Sequence, residues 1–262
     1  MAGTLLDVGM PRLMLFLLAL ARVSGLFLFA PILGSRTAPV RVRAVLVFFI
    51  AVAMLPVLPA AAAVDVAAMA PAAYFGDVLR EVAIGLAIGL VAQMIFGGVE
   101  LAGQLSGVQM GIGLGTLIDP HNQDQITSLA QWGNLLALLL FLAIDGHHLL
   151  IRAVAESFTT VPIAGGFPAA GGPAMVLSLA GGMFTLALKI AAPVMVLLLI
   201  VNGAMGVLAK LIPQLNVFIV GFPLNVGAGL LVMAAALPFT FHVLEGAFAD
   251  LTRSLATLVR AF

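Results

Sequence analysis

The chain contains no cysteine, so disulfides and thiolate metal sites are excluded. Charge is scarce as well: Asp, Glu, Lys and Arg make up 8% of the 262 residues, against about 25% in an ordinary soluble domain. Eleven basic and eleven acidic residues give a formal net charge of zero, which argues against nucleic acid as a partner. No polar stretch is long enough to enclose a core, so a separate water-soluble domain is not expected. A secretory leader is not expected either. Acidic Asp7 precedes Arg12, and the apolar run that follows is too long to be only the core of a signal peptide, so it reads as a retained first span. Signatures of catalysis are missing too: there is no Gly-x-Ser-x-Gly, no His-Glu-x-x-His and no Gly-x-Gly-Asp. The expectation is a protein with no catalytic residue and no cofactor.

What is present is apolar. Hydrophobic residues reach 63% and mean hydropathy is +1.23. The reading is a single all-α domain over residues 1–262, an integral membrane protein built from long, partly broken helical hairpins. About six apolar segments are expected, followed by a C-terminal amphipathic helix.

Leu13 to Leu33 forms the first segment, with Arg22 inside it. A central arginine costs a few kcal/mol in a bilayer, so it should face protein and pair with a carbonyl or a carboxylate. Ala44 to Leu58 is short for a span, at about fifteen residues where roughly twenty are needed, and suggests burial in protein. After an alanine-rich connection from Ala60 to Ala73, Asp77, Arg80 and Glu81 open a long helix. Gly85, Gly89 and Gly97 then recur at four-residue spacing, with Gln93 in the missing place, and Gly103, Gly107, Gly111 and Gly115 repeat it. Glycine costs a helix about 1 kcal/mol relative to alanine, and close backbone packing is the usual compensation. Gln93, Gly97, Glu100, Gln104 and Gly107 share one small, polar face, suited to a tight interface or a water-filled conduit.

Gly111, Gly113 and Gly115 alternate with Ile112, Leu114 and Thr116, and the run continues through Leu117 to Asp119-Pro120. This reads as a deformable apolar loop beside the polar run His121 to Gln125. Neither the glycine spacing of a dinucleotide fingerprint nor a Walker lysine accompanies it. Ile126 to Ile144 is the next apolar segment, capped by Asp145-Gly-His-His148. Adjacent histidines on a helix point about 100° apart, so a polar helix end is preferred to a metal site. A Gly/Pro-rich loop from Pro162 to Pro173 precedes Met175 to Leu208, which carries Lys189 and Pro193 in its interior. Lys210, Pro213, Gln214, Asn216, Phe218 and Pro223 then make a hairpin in which Pro213 forces a turn and the amides can bond freed backbone groups. The last span runs from about Val217 to Pro238. Beyond it Leu244, Phe248, Leu251, Leu255, Leu258 and Phe262 recur at steps of three and four. That amphipathic helix suits either the membrane surface or, slightly better, partner helices. Six segments leave both termini on one side, but Lys and Arg divide almost evenly, so the positive-inside rule gives no orientation.

Several of these stretches together resemble the FliR family of flagellar biosynthetic proteins, homologous to the T subunit of the type III secretion export apparatus. The hairpin Pro213-Gln-Leu-Asn-Val-Phe218 with Phe222-Pro-Leu224 carries the resemblance first. Ala21-Arg22, Ala30-Pro-Ile-Leu-Gly34, Gln109-Met-Gly111 leading to Asp119-Pro120, Gly146-His147, and Ser157-Phe158 before Pro162 follow the family's order. The resemblance implies an export-gate subunit in the bacterial inner membrane, within the flagellar basal body. It implies one copy of this chain assembled with P-type and Q-type subunits and the B-type export switch subunit. Unfolded flagellar proteins would be in transit, and Met110 to Pro120 would be the plug that helps to close the pore. The competing expectation is a stand-alone small-molecule or ion transporter. That would need an intramembrane ionisable pair, with Arg22, Glu100 and Lys189 as candidates, and an internal repeat that the halves do not display.

Overall fold

A computed structural model describes residues 2–31, 39–58, 69–112, 128–163, 171–214 and 216–261. Among them there are helices and no strands: α1 (Ala2–Phe29), α2 (Val40–Met54), α3 (Pro71–Met110), α4 (Ser128–Ala143), α5 (Gly146–Thr160), α6 (Gly171–Leu211), α7 (Val217–Ala235) and α8 (Leu237–Ala261). A membrane favours this outcome, because only a helix satisfies its backbone groups within one segment. Among the described residues, four helices are long and apolar enough to cross a bilayer. Two more spans result if α4 with α5, and α7 with α8, each count as one broken span, giving the expected six.

The boundaries differ from the expected ones where prolines act. Pro39 adopts φ −53° and ψ 139° just ahead of α2, so that helix begins at Val40 rather than Ala44. The candidate span then reaches Val57, 18 residues in all. Little of it is covered by this chain: Val40, Phe48 and Phe49 are among its exposed apolar side chains. Pro71 sits at the first position of α3, where a missing N–H costs nothing, so the helix starts six residues before Asp77. Its glycines do not interrupt it until Gly111, whose φ of 85° turns the chain out of the helix. The four-residue glycine run therefore leaves the helix at Gly111, and Gly115 lies outside the described residues.

The chain divides into two compact units. One consists of Met1–Met94, Ile144–Ala180 and Asp250–Phe262. Its core is the crossing of α1 and α3 at glycines. A Cβ on Gly25 would stand 2.9 Å from the Leu86 nitrogen, and one on Gly85 would stand 2.8 Å from the Leu26 nitrogen. Gly89 continues the contact, with the Leu26 oxygen at 2.7 Å from its would-be Cβ. Small-xxx-small packing on α3 was legible; its complement, Gly25 on α1, was not singled out.

The other unit comprises Ile95–Ala143 and Gly181–Ala249. Here Ala102 of α3 packs with Ala187 and Ala191 of α6, and Met110 packs with Val194 and Leu198. Phe96 of α3, Phe141 of α4 and Phe248 of α8 form an aromatic triad, with ring centroids 5.4–5.9 Å apart. The apolar stripe of α8 is thus covered by the chain itself: Leu244, Phe248, Leu251, Leu255 and Leu258 are all buried. This corrects the expectation of a helix on the membrane surface or on partner helices. Covering the stripe needs only apolar faces at matching spacing, which α3, α4 and α5 already offer.

Candidate functional site: a buried ion-pair clamp and the polar breaks

Arg22 lies midway along an apolar span, and a lone guanidinium there is costly. The fold surrounds it. Its Nε donates to the Glu81 carboxylate, Nη1 donates to Ser157 Oγ at 2.9 Å, and Nη2 donates to the Val161 carbonyl at 3.0 Å. The Phe158 ring lies 4.4 Å beneath its guanidinium carbon, close enough for a cation–π contact. Arg22 and Glu81 are both 0% exposed. Arg80, the neighbour of Glu81, is also buried and donates to the Pro162 carbonyl at 3.2 Å. One cluster therefore joins α1, α3 and the end of α5. Arginine suits it, because its flat fork of donors reaches three acceptors on two elements at once. The expectation of a carbonyl or carboxylate partner is met by both. Glu81 and Ser157 were not singled out as sites; the available signal was that Glu81 is a carboxylate beside an apolar run, and so must be paired.

The remaining expected positions are scattered. Gln93, Gly97, Glu100 and Gln104 are half-buried along α3, and Gly107 is buried. Gln104 donates to Glu100 across one turn at 3.3 Å, and Met183 of α6 fills the space beside Gly97. Of the loop, Met110 is buried in the core against α6, and a Cβ on Gly229 of α7 would stand 2.9 Å from its sulfur. Gly111 and Ile112 follow it, while Gly113, Leu114, Gly115, Thr116, Leu117, Asp119 and Pro120 lie outside the described residues. Lys189 sits on an exposed position of α6.

The hairpin folds as its residues suggest. α6 ends at Leu211 with Lys210 in its last turn, where a cation favours the helix dipole. Pro213 and Gln214 form the turn, and Asn216 Oδ1 accepts from the Ile219 N–H at 3.3 Å as an N-cap of α7. Phe218 and Pro223 are helical in α7, so this second proline does not end a segment. Further along, Asn225 Nδ2 donates to Asn202 Oδ1 at 2.9 Å, tying the arms α7 and α6.

Asp145-Gly-His-His148 follows the end of α4 at Ala143, as expected, and also opens α5. Asp145, at a left-handed φ of 57°, precedes α5, and its carbonyl accepts from the His148 N–H at 2.9 Å. The two imidazoles do not diverge as expected: their centroids are 4.1 Å apart. Side-chain torsions in the first turn override the 100° separation of the Cα–Cβ bonds.

Comparison with known proteins identifies the family. Residues 13–251 match the family described as bacterial export proteins, family 1. The chain is 37% identical over 246 residues to the flagellar biosynthetic protein FliR of Escherichia coli K12, covering 94% of this chain and 92% of that one. It is 33% identical to FliR of Pectobacterium carotovorum, with 91% and 90% covered. It is 31% identical to FliR of Bacillus subtilis 168, with 93% and 95% covered. With the match spanning all but the two ends, the chain belongs to the bacterial export proteins, family 1, the family of the flagellar biosynthetic protein FliR.

Proposed function

We propose that this chain is a subunit of the export gate of a flagellar type III secretion system, seated in the bacterial inner membrane at the basal body. The observation that carries this reading is the family match over residues 13–251, joined to a mismatch of length. α3 and α6 have 40 and 41 residues. At 1.5 Å per residue each is about 60 Å long, roughly twice the hydrocarbon core of a bilayer. Only 28% of an 18-residue apolar stretch of α6 is buried within the chain. Surface of that length cannot all meet lipid, so much of it must meet protein. P-type and Q-type subunits are the partners this reading assigns, with the B-type switch subunit beside them and one copy of this chain per assembly.

In this reading the chain helps to form and close a pore for unfolded flagellar proteins, and the work of transport is done elsewhere. Met110 to Pro120 serves as the plug, because apolar side chains on a glycine-rich backbone exclude water yet move at modest cost. The chain itself carries out no chemical step. Co-purification tests the reading: a tagged chain should bring down P-type and Q-type subunits and should be unstable in detergent without them. A monodisperse lone chain that moves small solutes in vesicles would overturn it.

One observation favours the transporter alternative, namely the intramembrane pair Arg22–Glu81. Its setting argues otherwise. Both side chains are sealed from solvent, and the hydrogen bonds of Arg22 tie α1 to α3 and to the end of α5 rather than facing a path.

A further inference from the structure

Asp145, His147 and His148 present a carboxylate oxygen and two imidazole nitrogens within 4.8 Å of one another. We propose that these three side chains form a binding site for a divalent first-row transition ion, of which Zn2+ is the simplest probe. Three features of the cluster carry the proposal. The first is spacing. Ligands held about 2.0–2.1 Å from a zinc ion stand roughly 3.3 Å from each other in a tetrahedral site. His148 Nδ1 and Asp145 Oδ1 already stand 3.2 Å apart as a hydrogen-bonded pair, whose bridging proton an ion would replace. The second is an unused nitrogen: His147 Nδ1 is shielded from solvent and has no hydrogen-bond partner. With no hydrogen bond to that nitrogen the tautomer of His147 is not fixed from that side, which leaves the ring able to turn a lone pair toward an ion. The third is donor type. Two imidazoles and one carboxylate suit zinc, nickel, copper or iron, whereas magnesium and calcium prefer all-oxygen shells.

Exposure fits an ion taken from solution rather than one sealed in during folding. The Asp145 and His148 side chains are 74% and 69% exposed, which leaves room for water on the open positions. The site also lies at the break between α4 and α5, on the one described non-glycine residue with positive φ. An ion bridging Asp145 to the first turn of α5 would hold that break in one conformation.

The test uses the full-length chain in its assembled complex, free of affinity tag and stripped of metal with a chelator. Zn2+ alone is titrated against a chromophoric chelator. The wild type should bind one more Zn2+ per chain than the double variant His147→Gln with His148→Gln. Asp145→Asn should weaken that binding by roughly tenfold or more, at least the loss that changes around a metal site produce. Equal zinc content in the wild type and the double variant overturns the proposal. So does a loss that follows His121→Gln or His242→Gln instead. Should the double variant fail to assemble, His148→Cys decides. The chain has no other cysteine, so a Co2+–thiolate absorption band in that variant reports an ion at this position, and its absence overturns the site.

Discussion

Arg22 and Ser157 are separated by 135 residues in sequence and meet at 2.9 Å inside the protein. Ala21-Arg22 and Ser157-Phe158 with Pro162 are far apart as motifs, yet they are two sides of one cluster. Ser157 accepts from the guanidinium and donates its own O–H to the Val154 carbonyl at 2.6 Å. The hydroxyl therefore neither lacks a partner nor competes for the charge.

Breaking one side of this clamp should be worse than removing it. Arg22→Met or Glu81→Met leaves an unpaired group in a dry site, and roughly 3–5 kcal/mol of stability is expected to go. Arg22→Met combined with Glu81→Met should lose less than either single change. Thermal unfolding of the purified complex measures the order. Two single losses that simply add would show that the pair does not act as a unit.

Glycines sort into two groups with opposite signs. Gly25→Ala and Gly85→Ala push a Cβ into the backbone of the facing helix, and overpacking of this kind costs about 1–3 kcal/mol. Gly76→Ala and Gly246→Ala meet nothing within 4 Å and sit in helices, where alanine gains up to about 1 kcal/mol. Melting temperatures that move the same way in both groups would refute the crossing.

Pro213→Ala with Asn216→Ala should disturb assembly more than membrane insertion. The proline fixes the turn, and loss of the Asn216 cap costs about 1 kcal/mol at the start of α7. Complex yield on a native gel, compared with the amount of chain in the membrane, separates the two effects. Normal yield would show that the turn residues are replaceable.

Deleting Gly111 to Gly115 should leave some assembled complex that leaks small molecules. Replacing Gly111, Gly113 and Gly115 by alanine should stiffen the loop, lowering export while the membrane stays tight. Dye entry and secreted flagellin measure the two outcomes. A deletion that assembles and remains tight would mean that this stretch does not close the pore.

The sequence was most legible where one rule acts alone. Apolar length marked the spans, and the three-and-four spacing of Leu244, Phe248, Leu251, Leu255 and Leu258 marked α8, all five of which are buried. Which surface covers that stripe was not legible, because lipid, partner and self all satisfy the same pattern. Arg22 showed that it needed a partner but not which one, since Glu81 lies 59 residues away and nothing local points to it. Histidine orientation failed for another reason: rotamers, not backbone spacing, bring His147 and His148 together. Of the expected plug, Met110, Gly111 and Ile112 are described, and Gly113 to Pro120 lie outside the described residues.

Synthesis meets the clamp out of order. Arg22 leaves the ribosome 59 residues before Glu81 and 135 before Ser157. Until the later helices exist, α1 carries a bare cation that disfavours release into lipid by a few kcal/mol. Its residence beside the insertion machinery should therefore end with the arrival of α3, and the commitment should be completed by α5. Stalled chains of increasing length report this directly: those ending before Glu81 should hold α1 at the insertase, and those ending past Val161 should free it. The first helix to be made would then be among the last to settle.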